Sequence, residues 1–158
     1  MSRPAILFVC LGNICRSPLA EAAFRARAGE AGLDATVDSA GTGAWHIGEP
    51  PDRRAQAAAL RQGIDISRYR GRQVEAADFH RFSHIFALDH DNLANLQRMA
   101  PVDGTAKLGL LLDLVEGLSG QPVADPYYGE ASGFDQTWEQ VDAAARALVA
   151  QLARAHPG

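Results

Sequence analysis

A thiol and a guanidinium stand five residues apart in Cys10-Leu-Gly-Asn-Ile-Cys-Arg-Ser-Pro18. A thiol attacks only as its thiolate. Cys10 ends an apolar run and precedes a helical pattern, so the partial positive charge of a helix N-terminus falls on it. Arg16 adds a permanent full charge, and both favour the thiolate. Leu11, Gly12, Asn13, Ile14 and Cys15 can wrap their backbone N–H groups around an anion, as helix N-termini and backbone nests do. Gly12 and Asn13 tolerate the positive φ that a tight loop needs. The planar fork of Arg16 can hold two oxygens of the same anion. Together the residues predict nucleophilic attack within a bound tetrahedral or trigonal oxyanion. Ser17 is expected as the N-cap, with Pro18 at the first helical position. The Ser17 hydroxyl can also donate to the Cys10 sulfur, making it a better leaving group in a second step. A structural disulfide or a metal site on Cys10 and Cys15 competes with this reading. The C-x4-C spacing is not that of zinc sites, however, and the chain has no further cysteine.

Such a loop must be positioned by a strand before it and a helix after it. Four apolar runs read as strands: Ala5–Val9, Thr36–Ala40, His84–Leu88 and Ala106–Leu110. Helical patterns separate them. Leu19, Ala23 and Arg27 share a stripe with Ala20 and Phe24 beside it, Pro51 to Gln62 is alanine-rich and stops at Gly63, and His90 to Met99 ends before Pro101. Trp138, Val141, Ala145, Leu148, Val149 and Leu152 recur at helical spacing near the C-terminus, a core-packing stripe. Alternating strands and helices predict an α/β fold, a four-stranded parallel sheet flanked by helices on both faces. Ligands of such sheets bind beyond the carboxyl ends of the strands, where Cys10 falls. No repeat or linker interrupts the 158 residues, so a single domain over 1–158 is expected.

A phosphate ester also needs an acid, because an alkoxide or phenolate leaves poorly until protonated. Asp125 is the candidate, in Asp125-Pro-Tyr-Tyr-Gly129, where Pro126 restricts it to extended backbone. Tyr127 and Tyr128 could wall a deep slot and stack on an aromatic ring. Ser39 ends the second strand and either steadies Asn13 or starts a turn. Trp45 either lines the pocket rim or packs in the core. His80 and His84 straddle a helix–strand junction, and His90 lies between Asp89 and Asp91 at a solvated helix start, so none suggests a metal site.

The loop of residues 10–18, Ser39-Ala-Gly-Thr-Gly43, Arg72-Gln73 and Asp125-Pro-Tyr-Tyr-Gly129 together resemble the low-molecular-weight protein tyrosine phosphatases, over essentially the whole chain. The resemblance implies a four-stranded Rossmann-like sheet and a phosphomonoester hydrolase. In it Cys10 is the nucleophile, Arg16 the phosphate clamp and Asp125 the acid and then the base. Asn13, Ser17 and Ser39 match the family's loop-supporting network. Members use a pair such as Cys10 and Cys15 for reversible redox protection, which peroxide would engage through a sulfenic acid. Many members carry a histidine shortly before the Arg-Gln pair, near the loop asparagine. Tyr69 stands there in this chain, and either its hydroxyl supplies the same hydrogen bond or that support is lost.

The resemblance implies no metal or organic cofactor and a phosphotyrosine protein as substrate. Two other activities occur on this fold. A thioredoxin-linked arsenate reductase relays oxidation through further cysteines, which this chain lacks. A protein-arginine phosphatase tends to carry threonine where Ile14 stands and lacks the paired tyrosines. A dead phosphate-binding module has no support while Cys10, Arg16 and Asp125 are all present. A net charge of −4 and a pI near 5.7 argue against nucleic acid as a partner. No apolar stretch suits a bilayer. Met1-Ser2-Arg3-Pro4 leads straight into a strand and is read as no signal peptide. With two cysteines, a reducing cytoplasm is the expected location and a monomer the expected state.

Overall fold

The computed structural model describes residues 3–155, and its elements alternate as the pattern predicts. They run β1 (Ala5–Cys10), α1 (Arg16–Glu30), β2 (Thr36–Gly41), α2 (Arg53–Arg61), α3 (Asp78–Arg81), β3 (His84–Ala87), α4 (His90–Met99), β4 (Lys107–Leu110) and α5 (Ser132–Ala155). A single 3-10 turn, Leu111–Leu114, follows β4. Met1 and Ser2, on which the signal-peptide reading leaned, lie outside the described residues. The four strands form one parallel sheet in the order β2-β1-β3-β4.

The central strand explains why its sequence reads as a continuous apolar run. Ile6, Leu7, Phe8 and Val9 are all 0–1 % exposed. Successive side chains point to opposite faces, and both faces are covered. Ile6 and Phe8 enter a core with Phe24 of α1 and Trp138 and Leu148 of α5. Leu7 and Val9 enter a second core with Phe79 of α3, Ile85 of β3 and Leu96 of α4. On the first face a fork-to-fork pair ties α1 to α5, from Arg27 Nε and Nη2 to the two Asp142 oxygens at 2.7 and 2.9 Å.

Strand ends differ slightly from the sequence reading, and the differences bear on the site. β1 and β2 each run one residue further, so that Cys10 pairs with Gly41. A Cβ at Gly41 would stand 2.7 Å from the Leu11 carbonyl, which is why the sheet can end directly beneath the loop. β3 stops at Ala87: the Leu88 N–H still donates to the Val9 carbonyl at 3.0 Å, but its own carbonyl accepts from Val123 N–H at 2.8 Å. This bond fastens the segment leading to Asp125 onto the end of the sheet. α5 starts at Ser132, earlier than the Trp138 stripe, and buries Phe134. Among the described residues no helix is long and apolar enough to cross a membrane.

The order β2-β1-β3-β4 contains a switch point. The chain leaves β1 toward β2 on one side and leaves β3 toward β4 on the other. The carboxyl ends of β1 and β3 therefore open a crevice between diverging connections, and Cys10 and Asp89 stand at its two edges.

Candidate active site

The loop from Cys10 to Arg16 turns on Asn13, at φ 58° the sole non-glycine residue with positive φ among those described. Its side chain is fixed at both ends. Nδ2 donates to Ser17 Oγ at 2.8 Å and to Ser39 Oγ at 3.0 Å, and Oδ1 accepts from the Arg72 N–H at 3.0 Å. These three anchors hold a conformation that is otherwise uncommon outside glycine. Gly12 has no positive φ. Its missing Cβ matters for another reason, since that atom would stand 3.1 Å from the His46 ring.

The Ser17 expectation needs correcting. The helix starts at Arg16, with Cys15 in the N-cap position and no side-chain cap. The Ser17 hydroxyl is already engaged, lying 3.0 Å from the Cys10 sulfur while accepting from Asn13. The Asn13 N–H also points at the sulfur, at 3.3 Å. Because Asn13 already donates to the Ser17 oxygen, the Ser17 proton is free to be directed at Cys10.

Two supports escaped sequence reasoning. Ser39 Oγ donates to Glu21 Oε1 at 2.7 Å. Burial pushes that carboxyl above its ordinary range, while hydrogen bonds from Ser39 and the Arg25 charge pull the other way. Arg72 is itself held, by Asp38 at 2.9 Å and by Asp78 at 3.0 and 3.1 Å. Tyr69 makes no hydrogen bond to Asn13 among the described residues. It is half-buried against the first core, near Glu21 and Arg25, and burial pushes its phenol up to about 12. The Asn13 carbonyl is served by the Arg72 backbone instead.

Asp78 gives a stability prediction. Its side chain is 0 % exposed. Burial opposes its charge, yet bonds from Arg72, the Glu75 N–H and Arg81 outweigh burial and hold the carboxyl below its ordinary range. A depressed folded value contributes stability above the unfolded value of about 4, and that contribution is lost as pH falls through the folded one. Asp78→Asn is expected to lose about 3 kcal/mol at pH 7, or about 6–12 °C in Tm. Urea titrations across pH should show the deficit shrinking below about pH 4; a deficit unchanged down to pH 3 would contradict the assignment.

Arg16 is 4 % exposed and oriented from one side. Nη1 donates to Asp89 Oδ2 at 2.9 Å and to the Val123 carbonyl at 3.0 Å. That leaves the Nε and Nη2 edge toward the cleft, with Nη2 3.7 Å from Asp125 Oδ2. Asp89 is more than the solvated helix start read from the sequence. Its other oxygen caps α4 by accepting from Asn92 N–H at 2.8 Å, so one carboxylate starts a helix and aims the arginine. The signal for it was an acidic residue two positions after β3, across the switch point from Cys10.

Asp125 Oδ1 accepts from the Tyr127 N–H at 3.1 Å, a local turn that turns the other oxygen to Arg16. Arg54, unmarked in the sequence reading, fastens this loop. Nη2 donates to the Tyr127 carbonyl at 3.0 Å and Nη1 to the Gly129 carbonyl at 3.3 Å. The guanidinium lies 4.7 Å from the Phe134 ring centroid and is paired with Asp52. The Asp52 N–H in turn donates to the Ile14 carbonyl at 2.9 Å, joining the Asp125 loop to the Cys10 loop.

Cys10, Ile14, Arg16 and Asp125 line one cleft of 440 Å³, with Cys15 at its wall and Trp45, His46, Tyr127 and Tyr128 at its mouth. Trp45 takes the rim position, not the core, at 70 % exposed. The expected aromatic slot is open on the side of Tyr128. Tyr128 is 92 % exposed and meets Tyr127 edge-on at 4.9 Å, so it stands as a flap beside the mouth. Burial first, and the Asp52 charge second, push the Cys15 thiol far above its ordinary range. A protonated Cys15 must lose that proton before it can join Cys10 in a disulfide, since the thiolate is the attacking form. Among the described residues no group of three or more His, Cys, Asp or Glu is placed to hold a metal ion.

A parallel α/β sheet with this loop at its central strand, an arginine facing inward and a carboxylate opposite, defines the class of α/β phosphate-ester hydrolases. Comparison with known proteins narrows the class. The signature of the family described as low molecular weight phosphotyrosine protein phosphatase matches residues 5–157. A fission-yeast (Schizosaccharomyces pombe) enzyme of that name is 44 % identical over 139 residues, 86 % of this chain and 88 % of its own. The Bacillus subtilis low molecular weight protein-tyrosine-phosphatase YfkJ is 41 % identical, covering 94 % of this chain and 95 % of its own. The crystal structure of YfkJ superposes with a TM-score of 0.90, covering 100 % of this chain and 99 % of that one at 39 % identity. A Drosophila arginine phosphatase structure also superposes, with a TM-score of 0.88 at 33 % identity over 93 % of this chain and 96 % of its own. The chain belongs to the low molecular weight phosphotyrosine protein phosphatase family, and is an enzyme of that kind.

Proposed function

We propose that the chain hydrolyses protein phosphotyrosine in two steps through a cysteinyl-phosphate. The Cys10 thiolate attacks phosphorus in line. The P–O bond to tyrosine breaks while the Asp125 carboxyl gives its proton to the departing phenolate oxygen. Asp125, now ionised, takes a proton from water. The resulting hydroxide attacks phosphorus, the S–P bond breaks, and phosphate leaves with the thiolate restored. Ser17 donates to the sulfur as it departs. Arg16 and the loop amides from Leu11 to Arg16 hold the equatorial oxygens, and catalysis rests on positioning and fixed dipoles.

The observation that carries this reading is the convergence of Cys10, Arg16 and Asp125 on one cleft, with 3.7 Å between Arg16 Nη2 and Asp125 Oδ2. Overall fold does not separate phosphotyrosine from phosphoarginine, since an arginine phosphatase superposes nearly as well as YfkJ. The lining does favour one: Ile14 at the wall and Tyr127, Tyr128 and Trp45 at the mouth offer apolar and aromatic surface to a phenyl ring. The deciding experiment compares kcat/KM on matched phosphotyrosine and phosphoarginine peptides with the rate of arsenate reduction. Phosphotyrosine is expected to be fastest; a faster phosphoarginine or arsenate reaction would overturn the substrate assignment.

The acid assignment has its own signature. Asp125→Ala should slow turnover by about 10²–10⁴-fold, most for esters with poor leaving groups. Aryl phosphates of graded phenol acidity provide the measurement. Equal slowing across the series would remove Asp125 from the protonation step.

A further inference from the structure

A second groove, of 290 Å³, runs beside the catalytic cleft and shares two of its residues, Leu11 and Trp45. α4 contributes Asn95, Arg98 and Met99 to its lining, and Thr42 and Gly43 complete it. The saddle between the two depressions is apolar and open. Leu11, Trp45 and Met99 are all exposed large side chains. The Trp45 ring packs close against Gly43, where a Cβ would stand 1.9 Å from a ring carbon. The lining holds a single charge, Arg98, and no carboxylate. Among the described residues Arg98 forms no ion pair; its hydrogen bond goes to the neighbouring Asn95 carboxamide. Elsewhere on the surface Arg27, Arg61, Arg72 and Arg81 each face a carboxylate of this chain, whereas Arg53, Arg68 and Arg70, like Arg98, form no ion pair among the described residues.

We propose that this groove receives the substrate segment flanking the phosphotyrosine, and that Arg98 selects an Asp or Glu there. The inference rests on the phosphotyrosine reading above. A peptide whose phosphotyrosine occupies the first cleft must leave it over the rim. An extended chain advances about 3.3–3.6 Å per residue, so positions within a few residues of the phosphotyrosine lie along this surface. Leu11, Trp45 and Met99 cover the apolar stems of those residues, and Arg98 supplies the complementary charge for a carboxylate. Charges at an interface rim act mainly on encounter and partner choice, so the effect falls on kcat/KM of peptides and not on the chemical step.

The test uses phosphotyrosine peptides that differ in having Glu, Gln or Lys at the flanking positions, together with p-nitrophenyl phosphate, which has no flank. The wild-type protein is expected to prefer the Glu peptide over the Lys peptide by about fivefold at low salt, less at 1 M salt, where screening is short-ranged. Arg98→Glu should invert the preference, Arg98→Lys should keep it, and both should hydrolyse p-nitrophenyl phosphate at the wild-type rate. An acidic preference undiminished in Arg98→Glu, or no preference in the wild type, overturns the inference while leaving the phosphatase reading intact. A wild-type protein inactive on p-nitrophenyl phosphate and on every peptide overturns both.

Discussion

Cys10→Ser is expected to lower turnover of p-nitrophenyl phosphate by about 10⁴–10⁶-fold, the scale on which removing a nucleophile acts, while phosphate still binds within a few-fold of wild type. The two halves of this outcome come from different parts of the loop. Turnover needs a sulfur that is both anionic and a good leaving group, and a serine oxygen is neither. Binding needs the backbone amides and Arg16, which the substitution leaves alone. The Ser17 hydroxyl and the Asn13 N–H, at 3.0 and 3.3 Å from the sulfur, would still point at the new oxygen. Steady-state kinetics and phosphate titration by calorimetry give the two numbers. Wild-type-like turnover would sink the assignment of Cys10, and loss of phosphate binding would show that the sulfur itself shapes the loop.

Arg16→Lys is expected to cost about 10³–10⁵-fold in kcat, the range reported for an arginine that stabilises phosphoryl transfer, despite conserving charge. The physical reason is the number of donors. Nη1 is engaged with Asp89 and the Val123 carbonyl, so under the proposed mechanism the arginine would serve the protein and the ligand with different edges. A lysine has one ammonium and must choose. If it keeps the Asp89 contact, the equatorial oxygens lose their clamp; if it turns to the ligand, Asp89 and the loop before Asp125 lose theirs. A melting curve beside the kinetics separates these cases. Activity within tenfold of wild type would mean that point charge, without the fork, suffices.

How much of this was legible in advance varies with distance along the chain. The cysteine loop could be read because its parts are contiguous: the strand, the cysteine, the turn residues, the arginine and the helix fall within Ala5–Pro18. The helix start was read two residues late, because Ser17 looks like a cap when its other partners, Cys10 and Asn13, are not seen in space. Asp125 was legible as a cleft residue from Pro126 and the tyrosines. Its fastening by Arg54 was not, since Arg54 and Tyr127 lie 73 residues apart. The exposure of Tyr128 is not legible for a related reason: residue type says that tyrosine can stack, and only the path of the loop says whether its ring is covered.

By itself the sequence determined the parallel α/β sheet and singled out Cys10, Arg16 and Asp125, which the fold brings to one cleft, because local patterns of strand, turn and helix carry them. Tertiary structure alone decided what keeps those groups in place. Phe8 pairs with Ser39 and Cys10 with Gly41, and this register brings Ser39 to Asn13 and to Glu21. A slip of one residue would turn Ser39 to the other face of the sheet. The order β2-β1-β3-β4 sets Asp89 across from Arg16, 73 residues away in the chain. Such pairings depend on strand order and register, which no short window of residues encodes.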